Sequence, residues 1–592
     1  MAKNQKITVY RRKTREVLIG DVGVGGDNPI RIQSMTNTDP YDVNKTVKQI
    51  ISLYKSGSEL VRLTIPDDQA ALKLKIIKEK LLLKNIHVPL VADIHFSVSS
   101  AIIAANYVEK IRINPGNFAV GDISKIKLSF IPFLKVLKAK NRALRIGVNH
   151  GSLSKRILTK YGNTPKGMVK SAIKYLQIAE ENSFFNTIVS MKSSIPEVMI
   201  DAYKNLVFEM DQSGMRYPLH LGVTEAGSGR IGRVKSAFGI GSLLLEGIGD
   251  TIRVSLTEPP ENEIPVALNL IKKVRCFKRD FTLNKIKFIH NELSCKLCES
   301  DNNFGDYIVF NENYPLVGVQ LNGINSQTLN SFGLKKNGKK YLFPERICDF
   351  IITSNVHQGK LKNIFKSVNI VSQKQIKNDF LVFNLNKTSK IEINRNTPKK
   401  NGIIIRCSSK LFYLKVNNFL QTLHKHKIDK KIIIHYYSNL NTDVNLIKIS
   451  AEIGKILNEW KIAGIIIHSS KQSIKDDVDL TYDILQATRK RITQTEFISC
   501  PTCGRTQFDL LKTIKEVKSK TSHLVGLKIA IMGCIVNGPG EMADADYGYI
   551  GNKSGYVTLF KGKTIKGKNI PANLALNYLI QIIKDDNRWI DP

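Results

Sequence analysis

Short apolar runs alternating with amphipathic stretches of helical length fill the first half of the chain. The runs are rich in Val, Ile and Leu, and the stretches between them place apolar residues three and four positions apart, which predicts alternating β-strands and α-helices. Eight such runs follow one another: Ile30–Thr36, Leu60–Ile65, Pro89–Ile94, Lys110–Asn114, Leu144–Asn149, Thr187–Lys192, Pro218–Thr224 and Thr251–Leu256. Eight consecutive βα units in a segment of this size predict a (β/α)8 barrel.

Polar side chains stand at the carboxyl end of nearly every run. In a (β/α)8 barrel these ends meet at one mouth, where such barrels carry their chemistry, whereas an open sheet would spread them along an edge. The pattern therefore favours the barrel over a doubly wound sheet. The polar residues at these ends are Arg62, Thr64, Asp93, His95, Arg112, Asn114, Arg145, Asn149, Lys192, Thr224, Glu225, Arg253 and Ser255.

The alternating pattern weakens after the eighth unit. Apolar runs at Ile403–Arg406, Lys431–His435 and Ala463–His468 predict further strands, but no comparable set of charged residues follows them. The last segment combines cysteine motifs, a Gly-rich stretch that predicts a hairpin and an amphipathic helix, which together predict a small α+β module. The chain is thus predicted to be an α/β protein with a barrel at 1–270, an inserted α/β domain at 271–490 and a C-terminal domain at 491–592.

Composition narrows the class of protein. Lys and Arg number 89 against 51 Asp and Glu, but the excess is spread along the whole chain, whereas a nucleic-acid footprint clusters. The polar N-terminus and the absence of a long apolar stretch predict a cytoplasmic protein with neither a nucleic-acid nor a membrane partner. Eight cysteines are too few for a disulfide framework, so paired cysteines indicate metal or redox chemistry.

Two cysteine motifs give the strongest chemical signal: Ser499-Cys-Pro-Thr-Cys-Gly-Arg505 and Met532-Gly-Cys-Ile-Val-Asn-Gly-Pro-Gly-Glu541. Cys500 and Cys503 can hold one metal centre from a single turn, and Cys534 can complete one face of an iron-sulfur cluster. Glu541 is a candidate fourth ligand because the Gly-Pro-Gly turn before it can direct its carboxylate back to the site. Three thiolates and one carboxylate would leave one iron accessible to a substrate oxygen.

A structural zinc site is the alternative. Zinc favours four thiolates, and Cys295 and Cys298 could supply the missing half of such a site. The two pairs lie in different predicted domains, however, and Cys534 would then have no role. For Cys295 and Cys298 themselves, a second small metal site and two unbound thiols both remain possible interpretations.

Five cations are predicted to point into the barrel mouth. Burying so much like charge is unfavourable unless an anion compensates it, and arginine side chains match phosphate oxygens in bidentate geometry. A diphosphate fits best, because two carboxylates cannot neutralise the set. His95 and His150 stand beside this mouth, where each is either a proton donor to the substrate or a structural histidine. The five cations are Arg62, Arg112, Arg145, Lys192 and Arg253.

These residues together resemble the 4-hydroxy-3-methylbut-2-en-1-yl diphosphate synthases, iron-sulfur enzymes of the non-mevalonate isoprenoid pathway. The resemblance covers the two ends of the chain. Besides the cysteine motifs, it rests on Ile32-Gln-Ser-Met-Thr-Asn-Thr38, Arg112-Ile-Asn-Pro-Gly-Asn117, Arg145-Ile-Gly-Val-Asn-His-Gly-Ser152, Leu221-Gly-Val-Thr-Glu-Ala-Gly227 and Gly247-Ile-Gly-Asp-Thr-Ile-Arg-Val-Ser-Leu-Thr257.

The resemblance implies a fold, a cofactor and a reaction. The fold is a substrate-binding barrel with a C-terminal domain similar to a sulfite-reductase half-module. The cofactor is a [4Fe-4S] cluster on Cys500, Cys503, Cys534 and Glu541. The reaction is the reductive ring opening and dehydration of 2-C-methyl-D-erythritol 2,4-cyclodiphosphate, with electrons from flavodoxin or ferredoxin.

The resemblance also implies roles for the residues of the mouth. Glu225 would act as acid or base near the ring carbons, and Asp93 would bind a hydroxyl group. The diphosphate would be bound by the five cations, Arg62, Arg112, Arg145, Lys192 and Arg253, assisted by Asn114, Asn149, Thr224 and Ser255.

The middle segment resembles the long form of this family, in which the inserted domain is itself barrel-like. Short forms are head-to-tail dimers in which the cluster domain of one subunit caps the barrel of the other. A homodimer is therefore possible here, and so is capping within one chain, with the insertion as a spacer. Because cluster and barrel mouth lie on separate domains, hinge closure is expected to bring them together. A rival interpretation is a barrel for a pterin or another cyclic anion, with the cluster acting only as an electron relay.

Overall fold

The protein is described here by a computed structural model. The chain folds into two compact units, and each unit is made of two segments that are not consecutive in the sequence. One unit comprises Met1–Val9 and Phe277–Arg491, and the other comprises Tyr10–Cys276 and Ile492–Pro592. The predicted domain boundaries at 270 and 490 stay a prediction. The structure describes residues 6–8, 10–119, 121–274, 280–282, 285–289, 308, 310–321, 323–337, 340–386, 390–394, 400, 402–408, 411–501, 504–534, 540, 542 and 545–591.

The larger unit contains a barrel of eight parallel strands. They pair in the order 7-8-1-2-3-4-5-6, and a bridge between Val189 and Leu219 closes the ring between strands 6 and 7. All eight predicted runs contain a strand, so the predicted barrel is confirmed. Barrel strands 1 to 8 are Arg31–Met35, Leu60–Thr64, Leu90–Asp93, Lys110–Ile113, Ala143–Asn149, Thr187–Lys192, His220–Leu221 and Thr251–Ile252.

Each barrel strand is followed by a helix, and several of these helices begin at a residue whose side chain caps the helix. The carboxylates of Asp42, Asp67 and Asp122 each accept the backbone N–H three residues on, which satisfies a donor left unpaired in the first turn. The helices are Val43–Lys55, Asp68–Leu82, Val98–Ala104, Ile123–Ala139, Pro165–Glu181, Pro196–Gln212, Gly229–Leu245 and Glu263–Asn269, with an extra short helix at Lys155–Tyr161.

The barrel interior is apolar at one end and polar at the other. A hairpin of Val17–Ile19 and Val22–Val24 covers the amino ends of the strands, where its side chains pack on Leu60, Val91 and Ile188. Buried Lys110, at the start of barrel strand 4, donates a hydrogen bond to Gln33 Oε1 at 3.0 Å. The apolar end closes the barrel, so chemistry is confined to the opposite, carboxyl end of the strands.

The C-terminal part of this unit is a five-stranded mixed sheet with helices Leu510–Thr521 and Ala575–Asp585. The first three strands are parallel and the last three antiparallel, so the predicted α+β module and its hairpin are confirmed. Its strands, in sheet order, are Glu496–Ser499, Lys528–Met532, Tyr547–Lys553, Tyr556–Lys561 and Thr564–Pro571.

The C-terminal domain docks on the barrel of its own chain. Ser499 forms a parallel bridge with Ala226, and its hydroxyl lies 2.9 Å from Thr257 Oγ1. Lys235, on a barrel helix, pairs with Glu496 at 3.4 Å. A side chain on Gly504 would clash with the carbonyl of Thr38. Capping within one chain, left open by the sequence, is therefore what this structure shows.

The smaller unit is an α/β fold around a seven-stranded sheet, all of whose described pairings are parallel. This confirms the predicted α/β insertion. The strands in sheet order are Asn369–Ser372, Phe350–Thr353, Leu316–Gln320, Gly464–Ser469, Lys431–Ser438, Gly402–Ser408 and Phe380–Asn384. The helices are Ser326–Ser331, Asn355–Ile364, Gln373–Asp379, Phe412–Lys425, Thr442–Glu459 and Ile474–Ala487. In the described part of the chain, no helix is long and apolar enough to span a membrane.

Candidate active site

A cavity lies between the carboxyl ends of the barrel strands and the docked C-terminal domain; we call it the mouth cavity. Both parts of the larger unit contribute side chains to it. The lining residues are Met35, Arg62, Asp93, His95, Arg112, Asn149, Lys192, Thr224, Glu225 and Arg253 from the barrel, and Cys500, Pro501, Arg505, Met532 and Cys534 from the C-terminal domain.

Most of the residues predicted from the sequence line this cavity, but not all. Arg145, Asn114 and Ser255 are buried in the barrel outside the lining. The amide of Asn114 donates to Ser152 Oγ at 3.2 Å. Cys503 and Glu541 lie outside the described residues, as do Cys295 and Cys298. The predicted residues in the lining are Arg62, Asp93, Arg112, Asn149, Lys192, Thr224, Glu225, Arg253, Cys500 and Cys534.

Asp93, at the end of barrel strand 3, contacts three arginines. Its carboxylate lies 2.9 Å from Arg112 Nη1, 3.4 Å from Arg505 Nη2 and 4.0 Å from Arg62 Nε. Burial alone would raise the pKa of Asp93, but Arg62 and Arg112 lower it well below its usual range. Asp93 is therefore ionised, and one negative charge is shared among three positive ones.

Lys192 and Arg145 have no comparable carboxylate partner among the described residues. Among the described residues, none accepts a hydrogen bond from Lys192 Nζ or from Nε and Nη1 of Arg145. Burial and the neighbouring Arg253 lower the pKa of Lys192 well below its usual range. Burial likewise lowers the pKa of Arg62 to about 9 despite Asp93. An anion in the mouth cavity would remove this excess of buried positive charge.

Two glycines in the barrel wall make room for these cations. A Cβ on Gly147 would lie 2.5 Å from Arg112 Nε, and a Cβ on Gly222 would lie 2.7 Å from Lys192 Nζ. Any larger residue would push the cationic side chains out of place. Glycine within a strand is the sequence signal for such a close approach, and both glycines stand inside predicted runs.

Glu225 combines burial with an unusual backbone conformation. Its φ angle is +48°, a left-handed conformation that costs a non-glycine residue about 1 kcal/mol or more. It is 2% exposed, and its Oε2 has no hydrogen-bond partner among the described residues. Burial raises the pKa of Glu225, although Thr224, Lys192 and Arg253 oppose the rise. The side chain is thus held in a position where it can carry a proton.

The two histidines differ in their surroundings. His95 lines the cavity and accepts a hydrogen bond from Arg112 Nη1 at its Nε2, 2.7 Å away. Burial and Arg112 lower the pKa of His95 to about 3, so the ring is neutral and its proton lies on Nδ1. His150 lies outside the lining, with Nε2 3.0 Å from the carbonyl oxygen of Asn163.

Cys500 and Cys534 follow the ends of two adjacent parallel strands. Ser499 and Ile531 are register partners, so both cysteines emerge at the same edge of the sheet. The N–H of Gly533 donates to Cys500 Sγ at 3.1 Å, a contact that stabilises a thiolate. No group of three or more His, Cys, Asp or Glu side chains suited to a metal occurs among the described residues, a set that lacks Cys503 and Glu541. Both described thiols lie in the wall of the mouth cavity.

Sequence reasoning missed several residues of the site. Arg505 stands in the first cysteine motif, but nothing in the sequence indicates that it turns into the barrel. Glu263 is buried below Arg253, 4.0 Å from its Nη2, and accepts the N–H of Leu256 at 2.9 Å. Burial raises the pKa of Glu263 to about 7 against the effect of Arg253. The lining also includes Met35, Pro501 and Met532, which carry no sequence signal of their own.

Comparison with known protein families shows to which family this chain belongs. A family model described as the GcpE TIM-barrel domain matches residues 14–268, and one described as the GcpE protein C-terminal domain matches residues 496–585. A protein of Leptospira interrogans named 4-hydroxy-3-methylbut-2-en-1-yl diphosphate synthase (flavodoxin) is 40% identical, over 98% of this chain and 98% of that protein. The chain belongs to the 4-hydroxy-3-methylbut-2-en-1-yl diphosphate synthase family. The predicted family is confirmed.

Other family members share the full length of the chain. The Porphyromonas gingivalis protein of the same name is 39% identical, over 98% of each chain. A rice protein named 4-hydroxy-3-methylbut-2-en-1-yl diphosphate synthase (ferredoxin), chloroplastic, is 35% identical over 98% of this chain and 88% of that protein. These matches extend through the inserted segment, so the chain is similar to long-form members of the family.

Solved structures give a weaker likeness. Dihydropteroate synthase from Xanthomonas albilineans is 12% identical, covers 43% of this chain and 97% of its own, and has a TM-score of 0.30. This score is too low to bear on the fold or on the ligand of the family member described here.

Substituting Gly147→Ala should weaken anion binding without unfolding the barrel. The new methyl group would displace Arg112 from Asp93, because the side chain yields more easily than the strand. We expect the affinity for inorganic pyrophosphate, measured by calorimetry, to fall roughly tenfold. This is the usual effect on affinity of losing one charge-assisted hydrogen bond. Gly359→Ala, at a helical glycine with nothing within 4 Å of the added atom, is the control and should bind normally. Equal affinities for both variants would contradict the role given to Gly147.

Asp93→Asn should destabilise the protein and make its stability depend on added anions. Removing the carboxylate leaves three buried guanidinium groups without their counter-charge, which costs about 3 kcal/mol. Because the folded-state pKa lies below the ordinary 3.8, the stabilisation by Asp93 is present above that pH and is lost as the pH falls. Thermal denaturation at pH 7 should show a lower midpoint that pyrophosphate restores more than in the wild type. Exposed Asp21→Asn is the control, and a midpoint unchanged in D93N would refute the argument.

Proposed function

We propose that this chain catalyses the two-electron reductive ring opening and dehydration of 2-C-methyl-D-erythritol 2,4-cyclodiphosphate. The product is (E)-4-hydroxy-3-methylbut-2-enyl diphosphate, a precursor of isoprenoids. One observation carries the proposal: an excess of buried cations, among them Lys192 with no partner for its Nζ in the described residues, and two cysteines of the cysteine motifs line the same cavity. Membership of the family supports it, because the relatives described above are named as synthases of this product.

The cations of the mouth bind the diphosphate in this proposal. Arg62, Lys192 and Arg253 point into the cavity from separate strands, so they can reach different phosphate oxygens, while Arg145 acts from deeper in the barrel. Bidentate arginine contacts fix the orientation of the phosphates as well as their position. The residues proposed to bind the substrate are Arg62, Asp93, Arg112, Asn114, Arg145, Asn149, Lys192, Thr224, Arg253 and Ser255.

Cys500, Cys503, Cys534 and Glu541 are proposed to hold a [4Fe-4S] cluster. The positions of Cys500 and Cys534 at the ends of neighbouring strands support this assignment. These residues would hold the cluster at the cavity wall, where it would supply electrons from the external donor, one at a time, for the reductive cleavage of the carbon–oxygen bond to phosphate. Docking of the C-terminal domain then excludes water from the cavity, and exclusion of water strengthens the contacts between the cations and the phosphates.

Glu225 is proposed to supply the proton. Overall, the substrate takes up two electrons and one proton and releases water, so the departing hydroxyl group must be protonated. Burial raises the pKa of Glu225, which keeps a proton on this side chain at higher pH than in water. Asp93, whose pKa is low, remains ionised and can accept a hydrogen bond from a substrate hydroxyl. The neutral His95 offers its Nδ1–H as a second donor.

The electron donor is proposed to be flavodoxin or ferredoxin, since relatives bear both names. Both carry single electrons at low potential, as a cluster requires. The cytoplasmic location and the homodimer stay predictions.

Variants of the predicted ligands separate cluster binding from catalysis. Anaerobically purified Cys500→Ser should lose most of its iron, acid-labile sulfide and brown colour, together with turnover. Glu541→Ala should retain part of the iron, because three thiolates remain, but lose most turnover. Cys407→Ala, at a buried cysteine of the inserted unit, is the control and should match the wild type. A colourless wild-type protein that contains zinc would refute the cluster assignment.

Glu225→Gln tests the proton donor, because the amide preserves the shape of the side chain but cannot deliver a proton. We expect turnover to fall by a factor of about 10² to 10⁴, the usual effect of losing a general acid. Since the protonated form is the active one, the wild-type rate should decline as the pH rises through the raised pKa, and this decline should vanish in E225Q. The assay is anaerobic turnover against pH, with exposed Glu312→Gln as control. An alkaline decline that persists in E225Q would assign the proton to another group.

A further inference from the structure

Arg505 is the cation of the mouth cavity that comes from the C-terminal domain. The other cationic lining residues, Arg62, Arg112, Lys192 and Arg253, all belong to the barrel. The Arg505 side chain is 14% exposed, and its Nη2 lies 3.4 Å from Asp93 Oδ2. Its charge therefore reaches the cavity only when the C-terminal domain is docked.

Docking leaves the backbone before Arg505 little freedom. Gly504 packs so closely on Thr38 and Pro40 that any side chain there would clash. On the other side of the first cysteine motif, Ser499 bonds to Thr257 and pairs with Ala226. Anchored at both ends, the motif delivers Arg505 to one place at the barrel mouth.

The electrostatic effect of Arg505 depends on what occupies the cavity. The cavity holds four barrel cations against Asp93 and Glu225, with Glu263 behind the lining at 4.0 Å from Arg253. Positive charges therefore outnumber carboxylates, and Asp93 is already shared with Arg62 and Arg112. A fifth positive charge brought to this group is repelled on balance. A diphosphate in the cavity reverses the balance, because each phosphate oxygen attracts the added guanidinium.

We propose that Arg505 makes docking of the C-terminal domain conditional on a bound diphosphate. Arg505 opposes docking while the barrel cations are uncompensated, and it favours docking once an anion compensates them. It is thus a positioning residue that couples substrate binding to the approach of the cluster-bearing domain. This inference rests on the proposed function, since it takes the ligand of the cavity to be a diphosphate.

Hydrogen–deuterium exchange of the anaerobic holoenzyme measures docking directly. The peptide that carries Ala226–Ser228 contacts Ser499 and Lys518 in the docked state, so its protection reports the docked fraction. Exchange is recorded with and without inorganic pyrophosphate. In the wild type, pyrophosphate should slow exchange roughly tenfold, because one charge-assisted hydrogen bond to phosphate shifts the docking equilibrium by about that factor. In Arg505→Gln, exchange without pyrophosphate should be slower than in the wild type, and pyrophosphate should change it less than twofold.

Two further variants distinguish two possible roles of Arg505: coupling docking to anion binding, or only holding the two domains together. Lys235→Gln removes a cation from the same interface but outside the mouth cavity, where it pairs with Glu496. Its exchange should be faster in both states, with the tenfold response to pyrophosphate preserved. Arg505→Lys keeps the charge and should restore most of the response, which also tests the proposal if R505Q folds poorly.

Each remaining outcome counts against the proposal in a recognisable way. A tenfold response retained in R505Q would show that coupling does not pass through Arg505. Faster exchange of R505Q in both states, as in K235Q, would show that Arg505 only holds the domains together. A wild type that turns over the cyclic diphosphate but shows no response to pyrophosphate would refute the coupling alone. A wild type that neither binds pyrophosphate nor turns over the substrate would refute the proposed function as well.

Discussion

An excess of buried positive charge at the barrel mouth is the constraint on which the rest of the site depends. Cations from four barrel strands and the C-terminal domain share one cavity with Asp93 and Glu225. An uncompensated buried charge costs several kcal/mol, so this layer of the barrel interior cannot stabilise the fold by itself. Stability comes instead from the opposite end, where the hairpin packs on Leu60 and Ile188. Because that apolar layer closes the barrel, the mouth can keep a charge distribution that only an anion satisfies.

Ser499 links the docking of the two parts of this unit to the position of the cluster ligands. Its backbone pairs with Ala226 and its hydroxyl with Thr257, and Cys500 is the next residue. Any change in docking therefore moves Cys500 relative to the barrel cations. The inserted segment separates the barrel and the C-terminal domain by more than two hundred residues of sequence, yet they fold as one unit. The long insertion is thus compatible with a complete cavity formed within a single chain.

The sequence predicts the barrel and most of its mouth, because strand periodicity and strand ends are local properties. Asp93 and Arg253 could be placed at the mouth from their positions at the carboxyl ends of predicted runs alone. Arg145 is buried outside the lining, four residues before the end of its strand at Asn149. The apolar pattern places that strand end correctly, but it does not indicate which side chains along the strand reach the cavity. The direction of Arg505 depends on how Gly504 packs against Thr38. That contact joins residues far apart in the chain, so no local pattern indicates it, and the same holds for Glu263 below Arg253.

The cations that bind the phosphates also control the proton on Glu225. Burial raises the pKa of this carboxyl group, and Lys192 and Arg253 are among the groups that lower it. An anion that compensates those cations weakens their effect on Glu225, whereas the burial remains. The pKa of Glu225 must therefore rise further when a diphosphate binds. The acid would then be most fully protonated when the substrate is present, and the left-handed backbone at Glu225 holds it among the same cations. Charge compensation at the mouth thus connects substrate binding to proton transfer.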